Sequence, residues 1–588
     1  MEMFDIDQDV VFESVEEREA RESRIQQNEL APIARLPPEI LADIFVRCVP
    51  VSMRKVHSDL SWLNLTRVSS GWRNVALACP DFWSTVILSR PKWTPVMLAR
   101  SKMASLIVRA DLRKDHDNSP EPILLDNAAR LGILDIRSPQ HYLTTFVSNL
   151  EHAEAAPRLQ YIRIVNTDAD AIGKGGMCQL PQNLFRRREV LESGKSAAQA
   201  SVRLHLEACA FPWDSGWYTH VTHLHLENIA LAQRPTMETL LGILVDSPAL
   251  QTLAIIHCSP TTRHGFPVYL PHLTALTLKS DSSTTCGRLL GFLTIPPSAT
   301  VNASCNIKST HDTHHPLYHS LIPEFSDVKG VYDTVRIIHR EGLTYSLLDS
   351  ARPEWLRKLR IEATVWNFLG VTKTIVEHLD FSNVTTLHLQ GMRDLHQSDE
   401  AQDSPSRNSR ADSLLHLWDT MGRTMCAVRT LHLHRSFPAR WLEFLLTQAM
   451  LLIGVSHLHS CFNLSDGQTS HGSMAFRGPD GALTHAWPAL TCLALHGLSL
   501  GEWDNSLQPA PSDLLRALLW ARRAGRAPIW QLEIEDCERV YSTDVAHFRL
   551  FADVVYDGKG GMTVEKEEDG EELSSYSINV FSDMIEQR

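Results

Sequence analysis

The segment Val221-Thr222-His223-Leu224-His225-Leu226 contains the pattern on which the fold depends: an aliphatic residue, two others, an aliphatic, one residue and an aliphatic. The alternation at its end predicts a short β-strand with one buried face. Comparable units recur from about residue 100 onward. They are Leu131-Leu134-Ile136, Leu159-Ile162-Ile164, Val202-Leu204-Leu206, Leu250-Leu253-Ile255, Leu273-Leu276-Leu278, Leu356-Leu359-Ile361, Val384-Leu387-Leu389, Val428-Leu431-Leu433, Val455-Leu458, Leu490-Leu493-Leu495 and Ile529-Leu532-Ile534, with weaker units near Val301 and at Val331-Val335-Ile337.

The spacing of these units is that of a leucine-rich repeat. Leu204 is followed after 20 residues by Leu224, then after 29 by Leu253 and after 23 by Leu276. Leucine-rich repeats contain one strand in about 20–29 residues. Longer steps elsewhere predict inserted loops. We therefore expect an irregular leucine-rich-repeat α/β solenoid over residues 100–557, and the alternative is an ordinary α/β domain with parallel strands.

The eleven cysteines are scattered, and no Cys-x-x-Cys pair occurs, which argues against a zinc ribbon or finger. Cys209, Cys258 and Cys537 each lie three residues after the last aliphatic residue of a unit. The repeat consensus has a Cys or Asn there, which we expect to satisfy backbone groups in the turn. Scattered cysteines in a long chain predict reduced, mostly buried thiols, as in a cytoplasmic or nuclear protein.

Composition and charge exclude several classes of protein. Hydrophobic residues make up 43% of the chain, which is enough for a large core. The 56 basic and 69 acidic residues give a net charge of −13, which argues against a dedicated nucleic-acid binder. The first residues are acidic, unlike a secretory signal, and no stretch of 18 uncharged apolar residues occurs. We therefore expect no secretion and no membrane partner.

Shifts in composition predict four regions. Residues 1–30 are expected to form an acidic, flexible arm, residues 31–90 a small helical domain, residues 100–557 the repeats and residues 558–588 an acidic tail. Residues 397–413, QSDEAQDSPSRNSRADS, contain no large apolar residue and are predicted to form a disordered loop within the repeats.

Residues 35–84 have a pattern of their own. Pro37 and Pro38 suit the first turn of a helix, and Glu39 suits its N-terminus. An apolar stripe at helical spacing follows, made of Ile40, Leu41, Ile44, Phe45 and Cys48. A second helical run, from Trp62 to Ala76, precedes a β-prone stretch over residues 85–88. The pattern predicts three short helices with a thin core, which leaves part of the stripe for a partner.

These residues resemble the F-box motif. The family pattern is Leu-Pro, an acid, two aliphatics, an Ile-Phe-like pair, a Val-x-x-x-Trp-Arg helix and Pro-x-x-Trp. The matching residues are Leu36-Pro37, Glu39, Ile40-Leu41, Ile44-Phe45, Val68-Ser69-Ser70-Gly71-Trp72-Arg73 and Pro80-Asp81-Phe82-Trp83. Gly71 departs from the pattern: because Gly costs about 1 kcal/mol relative to Ala inside a helix, we expect a bend or break there. The remaining repeats resemble the irregular leucine-rich repeats of many fungal F-box proteins.

The resemblance implies a function. F-box proteins dock onto the Skp-family adaptor of a cullin–RING ubiquitin ligase and present a target protein through their second domain. It therefore implies a non-catalytic adaptor, located in the cytoplasm or nucleus, that needs no cofactor. The residues implied to bind the ligase adaptor are Leu36, Pro37, Pro38, Glu39, Ile40, Leu41, Ile44, Phe45, Val68, Trp72 and Trp83. For Val68, Trp72 and Trp83, a place in the core of the helical domain is equally compatible with the sequence.

Histidines recur at one position of the repeat. The residue between the last two aliphatics points away from the core, onto the concave face of the strands. With neighbours two residues away, these histidines form the pairs His223/His225, His432/His434 and His457/His459. Polar residues tolerated on a solvated face are the simplest interpretation, so we expect no metal site. The predicted target-binding face comprises His205, His225, Arg360, His388, His432, His434, His459 and Glu533.

Two other functions remain open. The repeats could form a protein-interaction scaffold without a ligase, with the N-terminal helices as a cap. The His-x-His pairs could instead bind Zn²⁺ or Cu²⁺ in a metal-dependent enzyme. The chain has no Gly-x-Ser-x-Gly, P-loop, His-Glu-x-x-His or dinucleotide motif, and a further group, His311, His314, His315 and His319, lies in a predicted loop.

Overall fold

The computed structural model describes two compact units, Met1–His264 and Gly265–Arg588. The described residues are 14–49, 60–88, 92–111, 126–149, 156, 158–168, 178–182, 202–219, 221–262, 264–280, 283–296, 298–307, 332–339, 343–349, 352–363 (backbone only), 372–373, 375–377, 379, 381–391, 417–434, 440–452, 487–501 and 510–559. The predicted loop 397–413, the unit Val455-Leu458, the histidines of residues 311–319 and the tail beyond residue 559 lie outside them.

The chain is of mixed α/β type, as predicted. The α-helices of its described part are α1 (Val15–Leu30), α2 (Pro38–Cys48), α3 (Ser70–Ala78), α4 (Thr94–Arg100), α5 (Gln140–Asn149), α6 (Met237–Val245), α7 (Ser283–Phe292), α8 (Arg440–Leu452), α9 (Pro511–Ala524) and α10 (Ser542–Phe548). Residues 417–424 are also helical. Short 3₁₀ helices span Pro32–Arg35, Ser61–Arg67, Pro80–Trp83, Ala128–Arg130, Gly216–Tyr218 and Leu231–Gln233. None of the described helices is long and apolar enough to cross a lipid bilayer.

The first unit contains a parallel sheet whose strands follow one another in chain order, β1-β2-β3-β4-β6-β8-β9. Its strands are β1 (Thr85–Ile87), β2 (Leu106–Asp111), β3 (Leu131–Ser138), β4 (Tyr161–Asn166), β6 (Val202–Glu207), β8 (Val221–Glu227) and β9 (Thr252–Ile256). The short strands β5 (Cys178–Gln179) and β7 (Cys209–Ala210) pair separately.

The second unit contains a sheet in the order β11-β13-β16-β15-β14-β17-β18-β19-β20-β21. All neighbours are parallel except β15, which is antiparallel to both β14 and β16. The strands of this unit are β10 (Val268–Tyr269), β11 (Ala275–Ser280), β12 (Leu293–Thr294), β13 (Thr300–Ile307), β14 (Thr334–His339), β15 (Leu343–Asp349), β16 (Arg352–Ala363), β17 (Thr386–Gln390), β18 (Thr430–His434), β19 (Cys492–His496), β20 (Gln531–Glu535) and β21 (Asp553–Tyr556).

Every predicted repeat unit that lies in the described residues contains a strand. In segment 221–226, for example, the aliphatic residues Val221, Leu224 and Leu226 of β8 are buried. Strands β2 and β21 were not predicted, because they lack a full aliphatic unit. Strand β15, which belongs to an antiparallel insertion, and the two-residue strands β5, β7, β10 and β12 were not predicted either. Buried aliphatics thus form the core side of each sheet, and polar residues alternate with them on the other side.

The N-terminal helices differ from prediction in one respect. The second helical run, from Trp62 to Ala76, was expected to bend or break at Gly71, but it is divided earlier, into the 3₁₀ helix Ser61–Arg67 and helix α3. The division falls at Ser69, whose side-chain oxygen accepts a hydrogen bond from the Trp72 backbone N–H at 3.1 Å. Gly71 lies in the first turn of α3 beyond this cap, so the break precedes the glycine. The predicted arm contains helix α1, and its described side chains are exposed apart from Ile25, which is half-buried.

Many of the strands are followed by a residue in the left-handed backbone conformation. It follows directly after β6, β8, β9, β17, β19 and β20, with φ between 50° and 81°, at Ala208, Asn228, His257, Gly391, Gly497 and Asp536. Backbone N–H groups of these residues continue the ladder: Ala208 donates to the Glu227 carbonyl and Asn228 to that of Ile256, both at 2.9 Å. The side chain that follows the left-handed residue is buried at Cys209, Ile229, Cys258 and Cys537.

The predicted cysteines occupy this inward position. Cys209 donates to the Ile164 carbonyl and Cys537 to the Leu495 carbonyl, each at 3.4 Å, and the Cys258 thiol bonds to the backbone of Ile229. Ile229 lies in the turn after β8, as expected, but Ile164 and Leu495 belong to strands β4 and β19, so two of the three thiols bond to a strand and not to a turn. Each bond joins the segment after one strand to the preceding strand or to the turn that follows it. Burial raises the pKa of Cys258 to about 12, and none of the ten described cysteines forms a disulfide.

His257→Gly tests the strain in this turn. His257 is an exposed, non-glycine residue at φ 50°, and Gly adopts that conformation without a Cβ clash. We expect the free energy of unfolding to rise by about 0.5–1 kcal/mol, since the relief exceeds the added entropy of the unfolded chain. Thermal unfolding measures the effect. The matched control, His264→Gly, replaces an exposed histidine without positive φ; a larger gain there than at His257 would contradict the argument.

Candidate binding face of the sheets

In the first unit, strand register aligns one polar side chain from each of five neighbouring strands. The row, called the central row, runs from β2 to β8 and consists of Arg109, Asp135, Arg163, His205 and His225. Each member of β3, β4, β6 and β8 lies between the last two aliphatic residues of its unit. The predicted alternation therefore identifies Asp135 and Arg163 as well as the two histidines.

Asp135 is the charged centre of this row. Its side chain is buried between the arginines of the two adjacent strands, and its Oδ1 lies 3.4 Å from Nη1 of Arg163. Burial lowers the pKa of the Arg109 guanidinium, and the charge of Asp135 counteracts that effect. Three charges are thus held against the sheet, and the single carboxylate stabilises both cations.

The row ends in two stacked histidines. The rings of His205 and His225 are nearly parallel, with an interplanar angle of 7° and centroids 3.9 Å apart. Nε2 of His225 lies 2.8 Å from Oε2 of Glu227. Nε2 of His205 is buried and has no hydrogen-bond partner among the described residues. Burial, followed by the charges of His225 and Arg163, lowers the pKa of His205 to about 3.

The second unit contains four histidines in a two-by-two arrangement, called the histidine array: His388, His432, His434 and His496. Within each of two pairs a ring nitrogen lies in hydrogen-bonding distance of the other ring, at 3.2 Å for His388 Nδ1 and His434 Nε2 and 3.1 Å for His432 Nδ1 and His496 Nε2. The pairs stack on one another, with centroids 4.1 Å apart for His388 and His432 and 4.6 Å apart for His434 and His496.

Charged residues border the array on both sides. Arg336 of β14 is in register with His388, and Oε2 of Glu535 lies 3.1 Å from Nδ1 of His496. Burial lowers the pKa of His388 to about 3 and those of His432 and His434 to about 4, with further lowering by the neighbouring histidines and Arg336. His388, His432 and His434 are therefore uncharged at neutral pH.

The predicted target-binding residues fall into separate groups. His205 and His225 belong to the first unit, and His388, His432, His434 and Glu533 belong to the second. All six are half-buried, so this polar face is partly solvated at these positions. His459 lies outside the described residues, and for Arg360 only the backbone is described. His496 and Glu227 were not among the predicted residues. Each lies two residues after the position between the last two aliphatic residues of its unit, and therefore on the same face of its strand.

The residues predicted to bind a ligase adaptor divide into exposed and buried sets. Pro37, Pro38, Glu39, Ile40, Ile44 and Val68 are exposed, whereas Leu36 and Trp72 are half-buried. Leu41, Phe45 and Trp83 are buried, so they belong to the core of the helical region and not to its surface. Hydrophobic spacing predicts which residues form an apolar stripe along a helix. It does not show which half of that stripe faces the core and which half faces solvent.

An aromatic cluster explains the buried set. The ring of Phe82 packs against Phe45, Trp62 and Trp83, with centroids 6.1, 4.7 and 5.3 Å apart. The Trp83 indole N–H donates to the Ala76 carbonyl at 2.8 Å, and the Arg100 guanidinium lies 4.5 Å from the centre of its ring. This cluster fixes α2 and α3 against the start of the sheet.

Comparisons with known proteins add no family assignment. No profile of a known protein family matches the chain, and no curated protein is significantly similar to it in sequence.

Asp135→Asn tests the central row. The substitution keeps the shape of the side chain but removes the charge that stabilises Arg109 and Arg163. We expect a loss of about 2–3 kcal/mol in the free energy of unfolding, because a partly buried cation without its partner is costly. Thermal and chemical unfolding measure it. The control Asp126→Asn removes an exposed carboxylate of the same unit, and an equal loss in both variants would contradict the assignment.

The histidine array predicts a dependence of stability on pH. Its folded pKa values, about 3 for His388 and about 4 for His432 and His434, lie below the ordinary value of 6.5. Between these values the unfolded chain binds more protons, so stability falls as the pH falls below about 6.5. We expect the melting temperature to decrease steadily from pH 7 to pH 5.

The matched variants for this experiment are His434→Gln in the array and His272→Gln, an exposed histidine of the same unit. The first should flatten the pH dependence of the melting temperature, and the second should leave it unchanged. Equal pH profiles for the wild type and His434→Gln would contradict the prediction.

Proposed function

We propose that this chain is the non-catalytic substrate-recognition subunit of an SCF-type cullin–RING E3 ubiquitin ligase. The N-terminal helices bind the Skp-family adaptor as an F-box, and the leucine-rich-repeat sheets bind the target protein. Such an adaptor works by proximity: it holds a target lysine near a conjugating enzyme on another subunit and so raises its effective concentration. The proposal assigns the protein to the cytoplasm or nucleus.

The divided apolar stripe of α2 is the observation that carries the proposal. Leu41 and Phe45 are buried, Phe45 against Phe82 of the aromatic cluster, while Ile40 and Ile44 on the same helix are 48% and 38% exposed. Val68, directly before the cap of α3, is 55% exposed. Exposed β-branched aliphatics are costly in water, and their order in the sequence is that of the F-box pattern. This supports an adaptor helix packed against them.

Strand order and turn geometry support the repeat half of the proposal. In the first unit the parallel strands are neighbours in the sheet in the same order as in the chain. In doubly wound sheets the strand order changes direction within the sheet. The same left-handed turn and inward residue recur after strands of both units. A stack of like repeats produces both features, because each repeat then contacts only its neighbours. The mixed charges of the polar face suit a protein target better than a small apolar ligand.

The alternative is a repeat scaffold in which the N-terminal helices only shield the end of the sheet. The two proposals differ in what Ile40 and Ile44 do. Shielding depends on the buried Leu41 and Phe45, while adaptor binding depends on the exposed pair. Substitutions of the exposed pair therefore separate partner binding from folding.

The test is co-purification of the full-length chain with the Skp-family adaptor of its own organism. The double variant Ile40→Asp plus Ile44→Asp should lose the complex and keep its melting temperature, since both side chains are exposed. Leu231→Asp, which changes a 68% exposed aliphatic residue away from the N-terminal helices, is the matched control and should keep the complex. No complex at micromolar concentrations of well-folded wild type would refute the adaptor and favour the scaffold.

A further inference from the structure

We propose that His205, His225 and Glu227 form a binding site for a divalent transition-metal ion such as Zn²⁺ on the polar face of the first unit. One ligand atom from each of the three side chains lies within 4.8 Å of the other two. Two imidazole nitrogens and one carboxylate oxygen are a ligand set that zinc accepts, with a fourth position left for water or a substrate group.

The geometry requires only a small adjustment. Ligands about 2.0–2.1 Å from a tetrahedral ion lie roughly 3.3 Å from one another. Nε2 of His225 and Oε2 of Glu227 are already 2.8 Å apart. Their side chains are 28% and 27% exposed, so they have room to turn and an ion has a path from solvent. The required movement is a rotation of side chains on a rigid pair of strands.

The partnerless nitrogen of His205 is the second observation. Its Nε2 is buried without a hydrogen bond from any described residue, and a buried polar atom left without a partner destabilises the fold. A metal ion would satisfy it.

The surrounding charges favour a cation at this position. Glu207 of β6 is in register with Glu227 of β8. Two carboxylates thus lie side by side on adjacent strands, where like charges repel one another. A divalent ion between the strands would relieve that repulsion. The nearby cation Arg163 is already paired with Asp135, which reduces its repulsion of a metal ion.

The neighbouring histidine provides a matched control. His223 lies on the same strand and face as His225, but it is outside the three-residue cluster. Its Nδ1 lies 3.0 Å from Oγ1 of Thr222. A ligand role specific to His225 should therefore not extend to His223, although both belong to one His-x-His pair.

The experiment titrates full-length, chelator-treated protein with ZnCl₂ by calorimetry, and with CoCl₂ while visible d–d absorption is recorded. We expect one ion per chain and a cobalt spectrum of nitrogen and oxygen ligands. Glu227→Gln and His225→Gln should each weaken zinc binding at least tenfold, and Glu207→Gln by a smaller factor. His223→Gln should bind as the wild type does. Circular dichroism and melting temperature identify any variant that fails to fold, and the near-isosteric Glu227→Gln is the variant on which the test rests.

Two results would overturn the proposal. The first is no stoichiometric binding at 100 µM zinc, a concentration on the order of 100 times a micromolar Kd. The second is binding that survives Glu227→Gln and His225→Gln but is lost with His432→Gln plus His434→Gln, which would assign the ion to the histidine array. Neither result depends on the ligase adaptor, so this test and that of the proposed function fail independently.

Discussion

Register between parallel strands is the constraint on which the rest of the structure depends. Each strand offers one face of aliphatics, and the faces form a continuous core only if equivalent residues stand beside one another. Leu204 and Leu224, for example, are register partners, as are Leu206 and Leu226. The same pairing aligns the intervening residues on the opposite face. Rows of like side chains on that face are thus a consequence of how the core is built.

That alignment explains why the polar face is neither uniformly charged nor freely hydrated. Neighbouring parallel strands hold equivalent side chains so close that charges of like sign cannot be repeated without cost. The first unit alternates Arg109, Asp135 and Arg163, whereas the second unit places neutral imidazoles in contact. Stacked rings shield one another from water, and this burial keeps them uncharged. Histidine suits the position because it is polar at the edge of the ring and flat across it.

Many of the strands could be predicted from the sequence, because two leucines separated by one residue indicate a strand with one buried face. Leu493 and Leu495 of β19 are typical. The antiparallel strand β15 was not predicted, because it lies in an insertion between predicted units. Strand β21 was not predicted, because its short aliphatic run lacks a complete unit. The site was harder to predict. Alternation identified the face of His205 and His432, but only the fold shows that β8 contributes Glu227, or that β19 and β20 bring His496 against Glu535.

The histidine array has a consequence for proton positions. A carboxylate can only accept, so Glu535 fixes the ring proton of His496 on Nδ1. The Nε2 of a neutral His496 is then an acceptor, and His432 must carry its own proton on Nδ1 to donate to it. Both rings adopt the same tautomer. One exposed carboxylate on β20 thereby selects the tautomer of an imidazole two strands away, and a glutamine at position 535 would release both rings from that choice.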